Sequence, residues 1–209
     1  MYVPTHFEES RTDVLHALIR AHPLAALVTQ TPDGLVANHI PFEIDPDPAP
    51  FGTLRGHMAR ANPQWRTLAD APALAIFQGP SAYVSPAWYA TKRDTGRVVP
   101  TWNYAVVHAH GPLRVIHDPD WLLNFVTRLT TRHEAGRPDP WQVTDAPAEY
   151  IATQLAAIVG IEMPIARLEG KWKVSQNRPP ADRAGVAEGL LREGNAAAMA
   201  ELVRQSGGG

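Results

Sequence analysis

The stretch Ala25-Ala26-Leu27-Val28-Thr29-Gln30-Thr31-Pro32-Asp33-Gly34-Leu35-Val36-Ala37-Asn38-His39-Ile40 decides the fold class. Residues 25–30 read as a buried strand. Thr31-Pro32-Asp33-Gly34 places proline and glycine where a tight turn takes them, and 35–44 returns as a second strand. Working outward, 52–58, 71–78 and the long region 97–117 add further strands. Ser10 or Thr12 caps a helix whose Val14, Leu15, Leu18 and Ile19 form one apolar stripe, stopped at Pro23. Asp118 caps another, with Pro119 at its first position and Trp121, Leu122, Phe125, Val126 and Leu129 on its buried face. Asp145 and Pro147 open a short helix, 156–168 supplies a late strand, 170–175 stays extended, and the chain is helical from Asp182. Antiparallel hairpins with helices at the ends and inserted late predict an α+β domain on a small barrel. Regular βαβ alternation, GxGxxG and GxxxxGK[ST] are all missing, which removes the dinucleotide and P-loop folds.

At 209 residues the chain has room for one full hydrophobic core. Hydrophobic content of 44% against 19% charged residues describes an ordinary globular protein rather than a disordered one. A formal net charge of -2 gives no chain-wide electrostatic footprint for nucleic acid. The absence of cysteine removes disulfides, thiolate metal sites and cysteine nucleophiles together. With no secretory signal and no span of membrane length, the expectation is a cytoplasmic protein. The loop 45–50 is acidic, proline-rich and exposed, and Gly207-Gly208-Gly209 reads as a frayed tail.

Three stretches carry candidate chemistry. Val99-Pro100-Thr101-Trp102-Asn103-Tyr104 sets a hydroxyl, an indole, an amide and a phenol in a row. That suits a planar ligand with polar edges, or a core strand with a wet edge. Leu54 to Trp65 leaves a strand and enters a helix capped by Asn62 with Pro63 first, so backbone donors lie beside His57 and Arg60. Such a place suits a phosphate, or is a plain capped helix. In Gly170-Lys171-Trp172-Lys173-Val174-Ser175-Gln176-Asn177-Arg178, an extended chain puts Lys171, Lys173 and Ser175 on one face with Trp172 and Val174 on the other. The cationic face serves an anion or protects a sheet edge. His108 and His110 share a strand face, yet no HExxH or adjacent carboxylate supports a metal, and none is expected. No serine sits in GxSxG and no carboxylate pair stands in these stretches, so hydrolase and glycosidase chemistry are unsupported. No catalytic residue can be named.

Taken in order, Met1-Tyr2-Val3-Pro4 with Phe7, Asn38-His39-Ile40-Pro41-Phe42, the His57 to Trp65 stretch, Phe77-Gln78-Gly79-Pro80, Tyr83-Val84-Ser85-Pro86 with Trp88-Tyr89, Val99 to Tyr104, and Lys171 to Arg178 resemble the PaiB family of FMN-binding negative transcriptional regulators. The resemblance implies an antiparallel FMN-binding split β-barrel with flanking helices, a homodimer, and flavin at its interface. It divides the chain into a split-barrel domain 1–178, with an inserted helical segment at about 118–154, and a helical extension 179–209. Carried onto this sequence, it makes His57, Arg60, Asn62 and Lys173 candidates for the FMN phosphate. Thr101, Trp102 and Asn103 become candidates for the isoalloxazine edge and face, Asn38 and His39 approach from a neighbouring strand, and Gln176 and Asn177 close the site. The expected function is a flavin-dependent regulator or sensor. The alternatives are a flavin-dependent oxidoreductase using NAD(P)H or oxygen, a direct DNA-binding repressor, which the charge does not favour, and a haem-binding split barrel.

Overall fold

The computed structural model describes residues 1–67, 72–194 and 196–206. Ala71, expected to open the fourth strand, and the glycine tail 207–209 lie outside the described residues. Among those described, ten strands and six α-helices form antiparallel sheets with flanking helices, as the α+β expectation requires. Both sheets have open strand orders. No described helix is long and apolar enough to cross a membrane. The chain divides into two compact units, one of Met1–Leu18, Gln78–His108 and Glu169–Gly209, the other of Ile19–Phe77 and Ala109–Leu168.

The second unit holds the hairpin. Strand β2 (Leu24–Thr31) pairs with β3 (Gly34–Pro41) from Thr31↔Gly34 to Leu24↔Pro41. Gly34 takes a φ of 117°, outside the range of ordinary side chains, and Thr31 Oγ1 donates to its carbonyl at 2.9 Å. The expected second strand of 35–44 is cut in two. Pro41 has no N–H for the ladder, Phe42 N turns to Pro23 O at 2.9 Å, and β4 (Glu43–Asp45) joins a different sheet. That sheet runs β4, β5 (Thr53–Ala59), β9 (Ile158–Pro164), β8 (Arg114–Ile116). Arg55 of β5 anchors it, donating to Glu162 at 2.8 Å and pairing with Asp45.

Helix α3 (Pro119–Glu134) covers the same unit and starts as expected. Asp118 accepts from Asp120 N at 2.9 Å and Pro119 occupies the first position. Its Leu122 and Phe125 are buried, and Trp121 stacks on Phe125 with centroids 5.4 Å apart. The helix expected from Pro63 is, among the described residues, a 3-10 turn, Pro63–Thr67, so it lacks the aligned dipole of a full helix. Helix α4 (Ala148–Ala156) leads into β9.

In the first unit the strand order is β1 (Glu8–Glu9), β10 (Arg167–Lys173), β7 (Thr101–Pro112), β6 (Pro72–Val84), and the last three strands contribute residues to both units. Helix α1 (Thr12–Ala21) buries Leu15, Leu18 and Ile19 as its stripe predicts. Helices α5 (Pro180–Arg192) and α6 (Ala197–Gln205) pack Val186, Leu190, Met199 and Val203 into one cluster with Val84, Tyr89 and Val174. Asp182 ties α5 to α2 (Thr91–Thr95), accepting from Thr91 N at 2.9 Å and Thr91 Oγ1 at 2.8 Å.

Gly111, in the part of β7 that belongs to the second unit, stands so close to Pro164 that an added Cβ would lie 2.1 Å from its carbonyl oxygen. Backbone there cannot swing aside. Gly111→Ala should cost about 2–3 kcal/mol of stability, the scale of core overpacking, measured by urea unfolding against the wild type.

Candidate functional site

Two polar clefts collect most of the expected site residues, one in each unit. In the first unit, alternation along β7 separates neighbours. Thr101 and Asn103 face a small pocket of about 60 Å³, shared with Lys173, Ser175, Asn177 and Arg178, with Phe7 as its apolar wall. Trp102 lies half-exposed against Tyr83, the rings edge-to-face at 6.2 Å. The sequence grouping of Thr101, Trp102 and Asn103 is thereby split between two faces of one strand.

The pocket is built on a strained turn. Ser175 is buried with a φ of 66°, a left-handed conformation costing a non-glycine residue about 1–2 kcal/mol. Its Oγ accepts from Asn103 Nδ2 at 2.9 Å, and Asn103 is 1% exposed, so the amide and hydroxyl hold each other in place. Lys173 Nζ donates to Thr101 Oγ1 and, at 2.6 Å, to the Trp102 carbonyl. Desolvation, reinforced by the charges of Lys171 and Arg178, holds the Lys173 ammonium below the ordinary lysine range. Among the described residues no carboxylate pairs with Lys171, Lys173 or Arg178. Arg178 lies 4.8 Å from the Tyr89 ring centroid.

Lys171 does not protect a sheet edge. It is 8% exposed, donates to Tyr2 O at 3.1 Å and lies between the Tyr2 and Tyr104 rings at 5.6 and 5.3 Å. Trp172 and Val174 pack on the other side, as the strand period predicts. The amide of Gln176 is committed at both ends, accepting from Val174 N and donating to Trp172 O. It closes the turn, while Asn177 lines the pocket.

The second unit brings Asn38, His39, His57 and Asn62 to one cleft of about 330 Å³, with Ile40, Met58 and Ile158 as apolar walls. Arg60 does not line it. Its Nε donates to Ala156 O at 2.7 Å and its Nη2 to Ile158 O at 2.8 Å, with Nη1 3.4 Å from His117 Nδ1. The guanidinium expected to hold a phosphate clamps the loop after β5 to β9 instead. Asn62 caps the turn as predicted, its Oδ1 accepting from Gln64 N at 3.0 Å. Asn38 Nδ2 donates to Gln64 Oε1 at 2.7 Å, and Gln64 Nε2 to Thr29 Oγ1 at 2.8 Å. His57 packs edge-to-face on Phe125 at 5.7 Å, and its Nδ1 is buried with no hydrogen-bond partner. Sequence reasoning missed Arg178 and Ser175 in the first pocket and Gln64, which holds Asn38 and Asn62 at the second. Arg178 stood within a quoted motif, whereas the left-handed turn at Ser175 leaves no trace in residue type.

Burial pushes the His57 imidazolium below the ordinary histidine value. The unfolded chain then takes up this proton first as pH falls. His57 therefore lowers stability below about pH 6.5, down through its depressed folded value, and has no effect above it. Urea unfolding at pH 7.5 and 5.5 should show a loss that shrinks in His57→Gln; an unchanged loss would assign it to other groups.

Residues 1–167 match the family described as "Putative FMN-binding domain". An uncharacterized Emericella nidulans protein is 36% identical over 99% of this chain and 98% of its own length. The Bacillus subtilis protease synthase and sporulation protein PAI 2 is 31% identical over 97% of this chain and 96% of its own. Among solved structures, the FAD and haem binding protein from Mycobacterium smegmatis superposes with a TM-score of 0.60 at 21% identity, covering 79% of this chain and 73% of that one. The flavocytochrome Anf3 from Azotobacter vinelandii gives 0.61 at 15%, covering 82% and 72%. At those identities the two structures establish the fold alone, the flavin-binding split barrel. The family match and the full-length likeness to the Bacillus protein carry the assignment: this chain belongs to the PaiB family and carries its FMN-binding domain.

Proposed function

We propose that the chain binds FMN non-covalently as a homodimer and acts as a flavin-dependent regulator or sensor of the PaiB type. The observation that carries the reading is the pocket of Thr101, Asn103, Lys173, Asn177 and Arg178. Two cations and several neutral donors converge on a space of about 60 Å³, room for a phosphate group and not for a ring system. FMN, when bound, supplies the redox chemistry of its ring. The chain's own part is to hold the phosphate through Lys173 and Arg178 and to keep Asn103 aligned through Ser175.

The homodimer reading rests on the second unit. The core-facing residues of β2, Ala25, Leu27 and Thr29, are buried, yet Ala26 and Val28 on its other face are also apolar and half-buried, as are Leu74 and Ile76 on β6. Val28 and Leu74 line an apolar groove of about 770 Å³ that includes the exposed Leu35. A sheet apolar on both faces fits a second copy. A second functional reading, a flavin-dependent oxidoreductase, draws on the cleft of the second unit, where Asn38, His39, His57 and Asn62 line room for another small molecule. Anaerobic mixing with NADH or NADPH separates the two: bleaching of bound flavin supports turnover, and a silent spectrum supports a sensor.

Heating the purified protein should release flavin fluorescence into the supernatant, and added FMN should raise the melting temperature. Absence of both would overturn the reading. Lys173→Met and Arg178→Met should each weaken FMN at least tenfold and riboflavin little, because only FMN carries the phosphate. Arg60→Ala should weaken both ligands alike, as loss of a clamp would.

A further inference from the structure

The chain has three lysines, Lys92, Lys171 and Lys173, and their surroundings differ. Lys92 is exposed on α2. Lys171 is 8% exposed, donates to the Tyr2 carbonyl and is enclosed by the Tyr2 and Tyr104 rings. Lys173 stands in the small cationic pocket beside Asn177 and Arg178. Among the described residues its Nζ has two hydrogen-bond acceptors, Thr101 Oγ1 and the Trp102 carbonyl. An ammonium carries three N–H groups, a free amine two. The free amine is therefore fully satisfied by these acceptors, and neither of them is left for a third proton. Desolvation favours loss of that proton, and the charges of Lys171 and Arg178 add to the effect. A lone pair then takes its place, in a pocket whose other lining cation, Arg178, draws anions.

We propose that Lys173 is a site of self-acylation, in which the pocket binds an acyl phosphate by its phosphate and Lys173 Nζ takes up the acyl group. A space of about 60 Å³ admits the phosphate, and Asn177 and Arg178 supply N–H donors for it. In an acyl phosphate the carbonyl carbon is bonded directly to a phosphate oxygen, so seating the phosphate brings the electrophile to the amine. A phosphorylated aldehyde holds its carbonyl at least one carbon further out, beyond so small a space. The Nζ lone pair adds to the acyl carbon and forms the C–N bond. The bond from that carbon to the bridging oxygen breaks, its electron pair leaves with inorganic phosphate, and the proton shed by Nζ passes to water. Arg178 stabilises the charge that gathers on the leaving phosphate. The amide formed is neutral, so acylation removes one of the two cations that line the pocket. Its consequence for the cofactor rests on the FMN reading: an acylated chain loses phosphate recognition, and the site responds to the supply of activated acyl groups.

The test incubates the full chain at pH 8 with acetyl phosphate, or with acetic anhydride as a phosphate-free acetyl donor, and reads the initial acetylation rate of each lysine by peptide mass mapping. Acetyl phosphate should modify Lys173 at least tenfold faster than the exposed Lys92, and the anhydride should lose that preference. Excess inorganic phosphate should slow Lys173 at least tenfold and leave Lys92 unchanged. Arg178→Met should slow Lys173 in the same way, with its melting temperature reporting that it is folded. The proposal is overturned if Lys173 reacts no faster than Lys92, if the anhydride shows the same preference, if excess phosphate leaves the Lys173 rate unchanged, or if folded Arg178→Met reacts like wild type. The phosphate competition uses the wild type, so it decides the matter even if the variant does not fold. FMN should protect Lys173 as phosphate does. Protection by phosphate without protection by FMN would overturn the FMN reading and leave the acylation standing.

Discussion

Three cations, Lys171, Lys173 and Arg178, gather in the first unit with no carboxylate among the described residues paired to them, and the rest of the site is arranged around that uncompensated charge. Burial is the larger cost, and like charges at close range add to it, as the lowered proton affinity of Lys173 records. The chain manages the cost locally. Lys171 is taken between the Tyr2 and Tyr104 rings, Arg178 lies over Tyr89, and Lys173 is held by Thr101 and a carbonyl. None of these contacts neutralises charge. A bound dianion would, and the proposed reading puts the FMN phosphate there.

The strain at Ser175 belongs to the same account. A left-handed serine is retained because its hydroxyl locks Asn103 and because the turn brings Asn177 and Arg178 back over Lys173. These residues follow the stretch 1–167 that matches the FMN-binding domain, so the pocket joins that domain to the segment after it. Helices α5 and α6 support the segment through the cluster around Tyr89 and Val186 and through Asp182 on Thr91. In the second unit Arg60 gives its N–H groups to backbone carbonyls, and the cleft is lined by Asn38, His39, His57 and Asn62 without it.

Much of this was legible in the residues. The hairpin around Pro32-Asp33-Gly34, the Asp118-Pro119 helix start and the two-sided strand at Trp172 depend on local chemistry, and local chemistry can be read from a sequence. Pro41 also announced its break, since it lacks an N–H, but 35–44 reads as one strand unless that single donor is counted. What could not be read was competition between distant groups. Arg60 beside a capped turn looks like an anion ligand until two carbonyls nearly a hundred residues away are found to take it. Lys171 looks like an edge guard until two tyrosines, one at the start of the chain, enclose it. Motif order sufficed to recognise the family, whereas the partners of Arg60 and Lys171 needed the tertiary contacts.

The central claim is that the cationic pocket of the first unit holds the phosphate of FMN as a dianion. The ³¹P NMR signal of FMN bound to the purified protein, followed from pH 8 to pH 5, tests it most directly. A phosphate monoester free in water takes up its second proton near pH 6, at about the middle of that range. Held by Lys173 and Arg178, the bound phosphate should keep a shifted resonance that does not titrate across the range. A bound signal that moves through the same titration as free FMN would contradict the account.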